Sequence, residues 1–268
     1  NDATWKVGGQ GSESHGGLTI IPGNRSQFPT LLDFAVENGR IVYRNGKKNK
    51  IEIGIARGTI ASATETTPVM LDVDGTYNGV AARVTASDMD SFQALRDTSK
   101  PYKGSVNLIA EQMAVHFHGA FAKPLDFDGA KGALEIEIAS LDKALKVFGV
   151  GEAPPRPFKL AGALQRDGDQ WQIESASGQL SASPFSGNLV FSEGKRGEAD
   201  RLHLKVDFPT LDIAPMLTNG AAQSDGTEEP GMFVEGQIRA AHLTWGKLRL
   251  SDAVLQGNNG PGHSRKGN

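Results

Sequence analysis

Any chemistry in this chain has to come from a small set of side chains. His116 and His118 stand two residues apart, so on a strand both imidazoles face the same way and could offer two metal ligands. A working metal site also needs a third ligand and an outer shell of hydrogen bonds, and the sequence supplies no obvious candidate for either. The pairs Asp126/Asp128 and Glu135/Glu137 imitate the two carboxylates of a hydrolase that cleaves by general acid and base. All of these residues occupy the polar phase of their segments, as most charges here do, so a solvated face is the simpler reading of each. Asn24-Arg25-Ser26 has the form of a glycosylation acceptor, a pattern common by chance. No G-x-x-x-x-G-K-[ST], strand-to-helix G-x-G-x-x-G, G-x-S-x-G or H-E-x-x-H occurs. Cysteine is absent, which removes disulfides, thiol catalysis and cysteine-based zinc sites together. The expectation is a protein that is not an enzyme and has no cofactor, no catalytic residue and no metal site.

Composition points the same way. The 268 residues carry 28 basic and 31 acidic side chains, without the concentrated basic footprint that phosphate backbones require, so nucleic acid is not expected as a partner. A hydrophobic content of 38% is enough for a substantial core, and no apolar run is long enough to span a membrane as a helix. The 33 glycines are scattered between short apolar runs, as in a protein of many strands joined by tight turns. The chain opens on Asn1 rather than Met, from which a removed leader, anchor or longer upstream segment is expected.

The elements that must position these residues show in a period of two. Ile51, Ile53 and Ile55 alternate with polar or small residues, as do Val69, Leu71 and Val73. The same holds for Val115 and Phe117, for Leu134, Ile136 and Ile138, for Phe158, Leu160, Gly162 and Leu164, for Trp171 and Ile173, and for Leu202, Leu204, Val206 and Phe208. Alternation puts the apolar set on one sheet face and the charged set on the other, the pattern of antiparallel sheets with one face in water. The fold class is mainly β, with a dozen or more strands. Turns are expected at Asn45-Gly46, Asp74-Gly75, Asn78-Gly79, Asp128-Gly129 and Asp167-Gly168. Short amphipathic helices are expected over Ser87–Leu95 and, with Ser140 as its cap, Ser140–Phe148; Leu211–Leu217 is a third candidate, weakened by Pro215. Residues 1–27 read as an entry segment or linker, 28–217 as the main β domain, 218–231 as a flexible loop, 232–256 as a terminal hairpin and 257–268 as a disordered tail.

From Gln27 to Leu217, and more weakly over Glu235–Leu255, the order and spacing of several blocks resemble the AsmA family of bacterial envelope proteins. The blocks are Glu37-Asn38-Gly39-Arg40-Ile41-Val42-Tyr43-Arg44-Asn45, the Gly75–Val84 stretch, and Phe117-His118-Gly119-Ala120-Phe121-Ala122-Lys123-Pro124-Leu125-Asp126-Phe127-Asp128-Gly129 with the helix at Ser140 after it. Pro155-Arg156-Pro157-Phe158-Lys159-Leu160 follows, with Gly162, Leu164, Gly168 and Trp171, and then Ser177–Leu180 and Phe185–Leu189. Ser181-Ala182-Ser183-Pro184 and Arg83-Val84 depart from the family's pattern.

The resemblance implies a long, curved, mostly antiparallel sheet with an apolar concave face, a taco-like repeating groove with two or three short helices. It also implies a periplasmic protein anchored to the bacterial inner membrane by an N-terminal segment, with phospholipid as its partner and outer-membrane biogenesis as its setting, and with other envelope proteins as further partners. The groove would be lined by Val115, Phe117, Phe121, Leu134, Ile136, Phe158, Leu160, Leu189, Leu202 and Leu204. The alternative for the same residues is the core of a closed β-sandwich that acts as an interaction or scaffold module without transporting lipid.

Overall fold

The period of two becomes thirteen strands. The protein was analysed as a computed structural model, which describes residues 24–44, 50–125, 127–148, 155–194, 198–213 and 232–258. The strands are β1 (Asp33–Arg44), β2 (Lys50–Ala61), β3 (Pro68–Tyr77), β4 (Val80–Ser91), β5 (Tyr102–Ala110), β6 (Met113–Lys123), β7 (Asp128–Ile138), β8 (Phe158–Asp167), β9 (Gln170–Leu180), β10 (Ser183–Ser192), β11 (Asp200–Asp212), β12 (Met232–Trp245) and β13 (Leu248–Asn258). Helix α1 covers Phe92–Arg96, between β4 and β5, and α2 covers Leu141–Phe148, between β7 and β8. One sheet holds all thirteen strands in sequence order. The described pairings are antiparallel except β11 with β12, which is parallel. The sheet is therefore mostly antiparallel, as expected. Parallel neighbours need a crossover rather than a tight hairpin, and the stretch 213–231 between them is long enough for one.

Two expected turns fall elsewhere. Asp74-Gly75 lies inside β3, not at its end. Gly75 is needed there because a Cβ would stand 2.0 Å from the carbonyl oxygen of Gly54, where Ala56 bulges out of the β2–β3 ladder. The turn after β8 is centred on Gly168-Asp169 instead of Asp167-Gly168. Asn78-Gly79 does join β3 to β4, with both residues at positive φ as a type I′ turn requires. Asp128-Gly129 opens β7, and Asn45-Gly46 lies outside the described residues.

The first expected helix is shorter than Ser87–Leu95. β4 runs on through Ser91, and Ser91 rather than Ser87 caps α1, its hydroxyl oxygen accepting from the Ala94 N–H at 3.2 Å. Asp88, at φ +52°, carries the irregularity that offsets β4 from β3 and bends the strand without ending it. In the third candidate, Leu211 and Asp212 complete β11, and 214–217 lie outside the described residues. The proposed loop 218–231 and nearly all of the tail 257–268 lie outside them as well.

The chain divides into two compact units. The first holds β1–β5, α1 and Ala120–Asp128; the second holds Gln112–Gly119 and the chain from Gly129 onward. In the first, α1 buries Phe92 and Leu95 against Val69 and Tyr102, with Phe28, Leu31, Ile60 and Met89 packed around them. The Tyr102 hydroxyl donates to the Asp90 carbonyl at 2.5 Å, and burial pushes its pKa up. Arg25 is buried beside the end of α1, donating to the carbonyl oxygens of Asp97 and Lys100, and so ties the segment before β1 to the helix. In the second unit one cluster takes in Leu160, Ala176, Phe185, Val206, Phe208, Leu211, Ala240 and Leu243, from five of its strands.

Candidate functional site

The register of the second unit turns the separate apolar stripes into rungs that cross the strands. Gly119 and Gly132 face each other closely, since a Cβ on Gly119 would lie 2.7 Å from the Gly132 Cα. Stepping two residues along each strand sets Phe117 beside Leu134 and Val115 beside Ile136. Ile136 pairs with Leu160, Leu160 with Gly178, and Gly178 with Phe185. The next rung joins Leu164, Ile173, Leu189 and Leu204. Beyond it come Arg166, Trp171, Phe191, Leu202 and Val234.

Glycines let large side chains lie down on this face. A Cβ at Gly178 would meet the Phe185 ring at 2.6 Å, and one at Gly236 would meet Leu204 Cγ at 2.8 Å. The rings of Phe158, Phe185 and Phe208 follow in a row at centroid separations of 6.0 and 5.6 Å, within the range of favourable aromatic pairs.

Nine of the ten residues expected to line a groove are in this unit. Leu160 belongs to the buried cluster, and Ile136, Phe158, Leu189 and Leu204 pack against it half-buried. Phe117 and Leu134 are buried, while Val115 and Leu202 are half-buried. Phe121 belongs to the first unit, where it is buried edge-on against Phe127 with ring centroids 5.5 Å apart. Ile173, Phe191, Val206, Phe208 and Leu243 share the apolar face but were not among the expected lining. Their phase along β9, β10, β11 and β12 is the signal that could have found them.

The apolar face continues onto β13, the last strand in the sheet order. Leu248, Leu250 and Leu255 are paired there with Trp245, Leu243 and Ile238, and Trp245 and the three leucines of β13 are all exposed. In the first unit a shallow cup of about 400 Å³ is lined by Leu32, Ala61, Ser62, Ala63, Thr67, Pro68 and Met70. Its wall is stiffened by Ser62, whose hydroxyl bonds to the Thr64 and Thr67 carbonyls and to the Thr67 hydroxyl.

Among the described residues, those weighed for catalysis do not converge. Glu137 accepts from Lys159 Nζ at 2.7 Å, and Asp128 accepts from Lys123 Nζ at 2.7 Å. His116 is half-buried and His118 exposed, and among the described residues no three His, Asp or Glu side chains gather as a metal site would need. Asp126 lies outside the described residues. Asn24 uses its side-chain oxygen to accept from the Ser26 N–H, capping the short 3-10 turn at Arg25–Gln27.

On the polar face of the first unit, Arg40 pairs with Glu52, Arg57 with Asp74, and Arg83 with Asp72 through two hydrogen bonds. The Arg83 guanidinium holds the Asp72 carboxyl below the usual carboxylate range. These pairs lie across neighbouring strands in water, where each is worth little by itself.

A different polar group stands at the end of the apolar face. The Arg166 guanidinium carbon lies 4.3 Å from the centroid of the Trp171 ring, and its Nε donates to the Gly168 carbonyl at 3.0 Å. The Trp171 indole N–H donates to Glu193 Oε1 at 2.7 Å, and that oxygen is 3.9 Å from Arg166 Nη2.

No known protein family matches this sequence, no curated protein matches it, and no solved structure matches the fold.

Proposed function

We propose that this chain shields the acyl chains of phospholipid on the apolar face of its sheet, as the envelope-side part of an inner-membrane-anchored protein of the AsmA type. The observation that carries the reading is the set of rungs in the second unit. There, large apolar side chains repeat strand after strand on one face, and Ile136, Phe158, Leu189, Leu202 and Leu204 keep part of their surface accessible. Each methylene removed from water is worth ~0.8 kcal/mol, so a two-chain lipid of ~30 methylenes needs on the order of 24 kcal/mol of shielding. A continuous apolar surface supplies that without any reacting group. The motif blocks from Gln27 to Leu217 support the envelope setting, phospholipid as cargo and a role in outer-membrane biogenesis.

The test is native mass spectrometry of protein purified without detergent, with lipid extraction in parallel. Phospholipid bound at a definite stoichiometry is the expected result. A lipid-free, well-folded protein that takes up no lipid from vesicles overturns the reading.

The exposed leucines of β13 favour a second reading, in which the sheet edge docks another envelope protein and carries no lipid. A lipid-free preparation in which Leu250→Lys abolishes a protein association would support it.

A further inference from the structure

The rung that closes one end of the apolar face is not apolar throughout. Along β8 the inward phase reads Phe158, Leu160, Gly162, Leu164 and then Arg166, so a guanidinium occupies a position where the pattern calls for a hydrophobe. Trp171 is its cross-strand partner, and Glu193 continues the inward phase of β10 just past the strand. The Arg166 side chain is 17% exposed and that of Glu193 is 43% exposed, so the cation forms the base of the group and the carboxylate its mouth.

We propose that Arg166, Trp171 and Glu193 form a rim site for the zwitterionic phosphoethanolamine headgroup of a phospholipid whose chains lie on the neighbouring rungs. This rests on the lipid-shielding reading above and adds the headgroup class to it. The charges decide the class. A lone arginine would select any phosphoester, but here a carboxylate stands 3.9 Å from the guanidinium and repels a headgroup that carries only negative charge. Phosphoethanolamine carries a phosphate and an ammonium separated by an ethylene bridge. Its phosphate meets the guanidinium, and its ammonium donates to the Glu193 carboxylate beside the indole. Choline keeps the positive charge but has no N–H to donate, so it loses the bond to Glu193 and retains only attraction to the carboxylate and the aromatic face. Partial burial of Arg166 strengthens its charge-assisted bond by lowering the local dielectric.

The experiment loads the protein from vesicles of equimolar dioleoyl phosphatidylethanolamine, phosphatidylglycerol and phosphatidylcholine containing dioleoylglycerol, re-isolates it and identifies the bound lipid. Each phospholipid is read as a ratio to dioleoylglycerol, which has chains and no phosphate. Phosphatidylethanolamine is expected to be enriched over phosphatidylglycerol by roughly tenfold, the worth of one charge-assisted hydrogen bond. Arg166→Gln should lower the phosphatidylethanolamine and phosphatidylcholine ratios together, because both lose the phosphate contact. Glu193→Gln, at an exposed position, should remove the advantage of phosphatidylethanolamine over phosphatidylcholine and shift the preference toward phosphatidylglycerol. Loading in the vesicle proportions, or an enrichment unchanged in Glu193→Gln, overturns the headgroup site and leaves lipid shielding standing. Binding of chain-free glycerophosphoethanolamine as tightly as the lipid also overturns it, by marking a site for a soluble phosphoester. Failure to take up any of the four, dioleoylglycerol included, overturns the shielding reading itself.

Discussion

A Cβ placed on Gly178 would stand 2.1 Å from the Lys159 carbonyl oxygen and 2.6 Å from the Phe185 ring, whereas one placed on Gly257 would meet nothing within 4 Å. Both glycines belong to inward-facing positions, so the same substitution asks two different things of the structure. Gly178→Ala forces a backbone or an aromatic ring to move and is expected to cost ~1–3 kcal/mol. Gly257→Ala is expected to stay within about 0.5 kcal/mol of the parent. Urea unfolding of the two variants measures the difference directly, and equal stabilities would mean that the Phe185 ring does not rest on Gly178. Residue types alone hide this distinction, because two glycines in two strands look alike until the neighbouring strand is placed. The inward arginine at 166 was visible in the alternation of β8, but its partner Glu193 is 27 residues away and nothing local links them.

At the scale of the element, the strands differ in how deeply they commit their apolar face. Leu160, on β8, is 5% exposed inside the buried cluster, while Leu204, on β11, packs against that cluster half-buried. Leu160→Asp buries a carboxylate with no partner provided for it, and is expected to cost ~2–5 kcal/mol and unfold the second unit under mild denaturant. Leu204→Asp keeps part of its charge in water and should leave a folded protein that retains less phospholipid. Circular dichroism with lipid extraction separates the two, and a Leu204→Asp protein that keeps its full lipid load would count against the rungs as the path. The period of two identified these strands because it is a property of a single strand, needing no neighbour. Capping residue types misjudged the start of α1: Ser87–Asp90 carry them, yet pairing of β4 with β3 holds the chain extended as far as Ser91.

For the whole molecule, the division into two units predicts separable stability. Val69, Phe92, Leu95 and Tyr102 form the core of the first, and the cluster from Leu160 to Leu243 forms that of the second. Phe92→Ala should cost ~3–5 kcal/mol, as emptying an aromatic core position does. Hydrogen exchange should then quicken in the amides of β3–β5 and stay unchanged in β9–β12. Equal acceleration in both would show a single cooperative unit. The sequence by itself determined that this chain is mainly β and which neighbouring residues along a strand share a face. Both follow from alternation and side-chain type, which are local. Only the tertiary structure decided the parallel pairing of β11 with β12, the bulge at Ala56, and the rungs that set Arg166, Trp171 and Glu193 together. The physical reason is that register is fixed between strands: a bulge of one residue moves every later side chain onto a new neighbour, and no period within one strand records that shift.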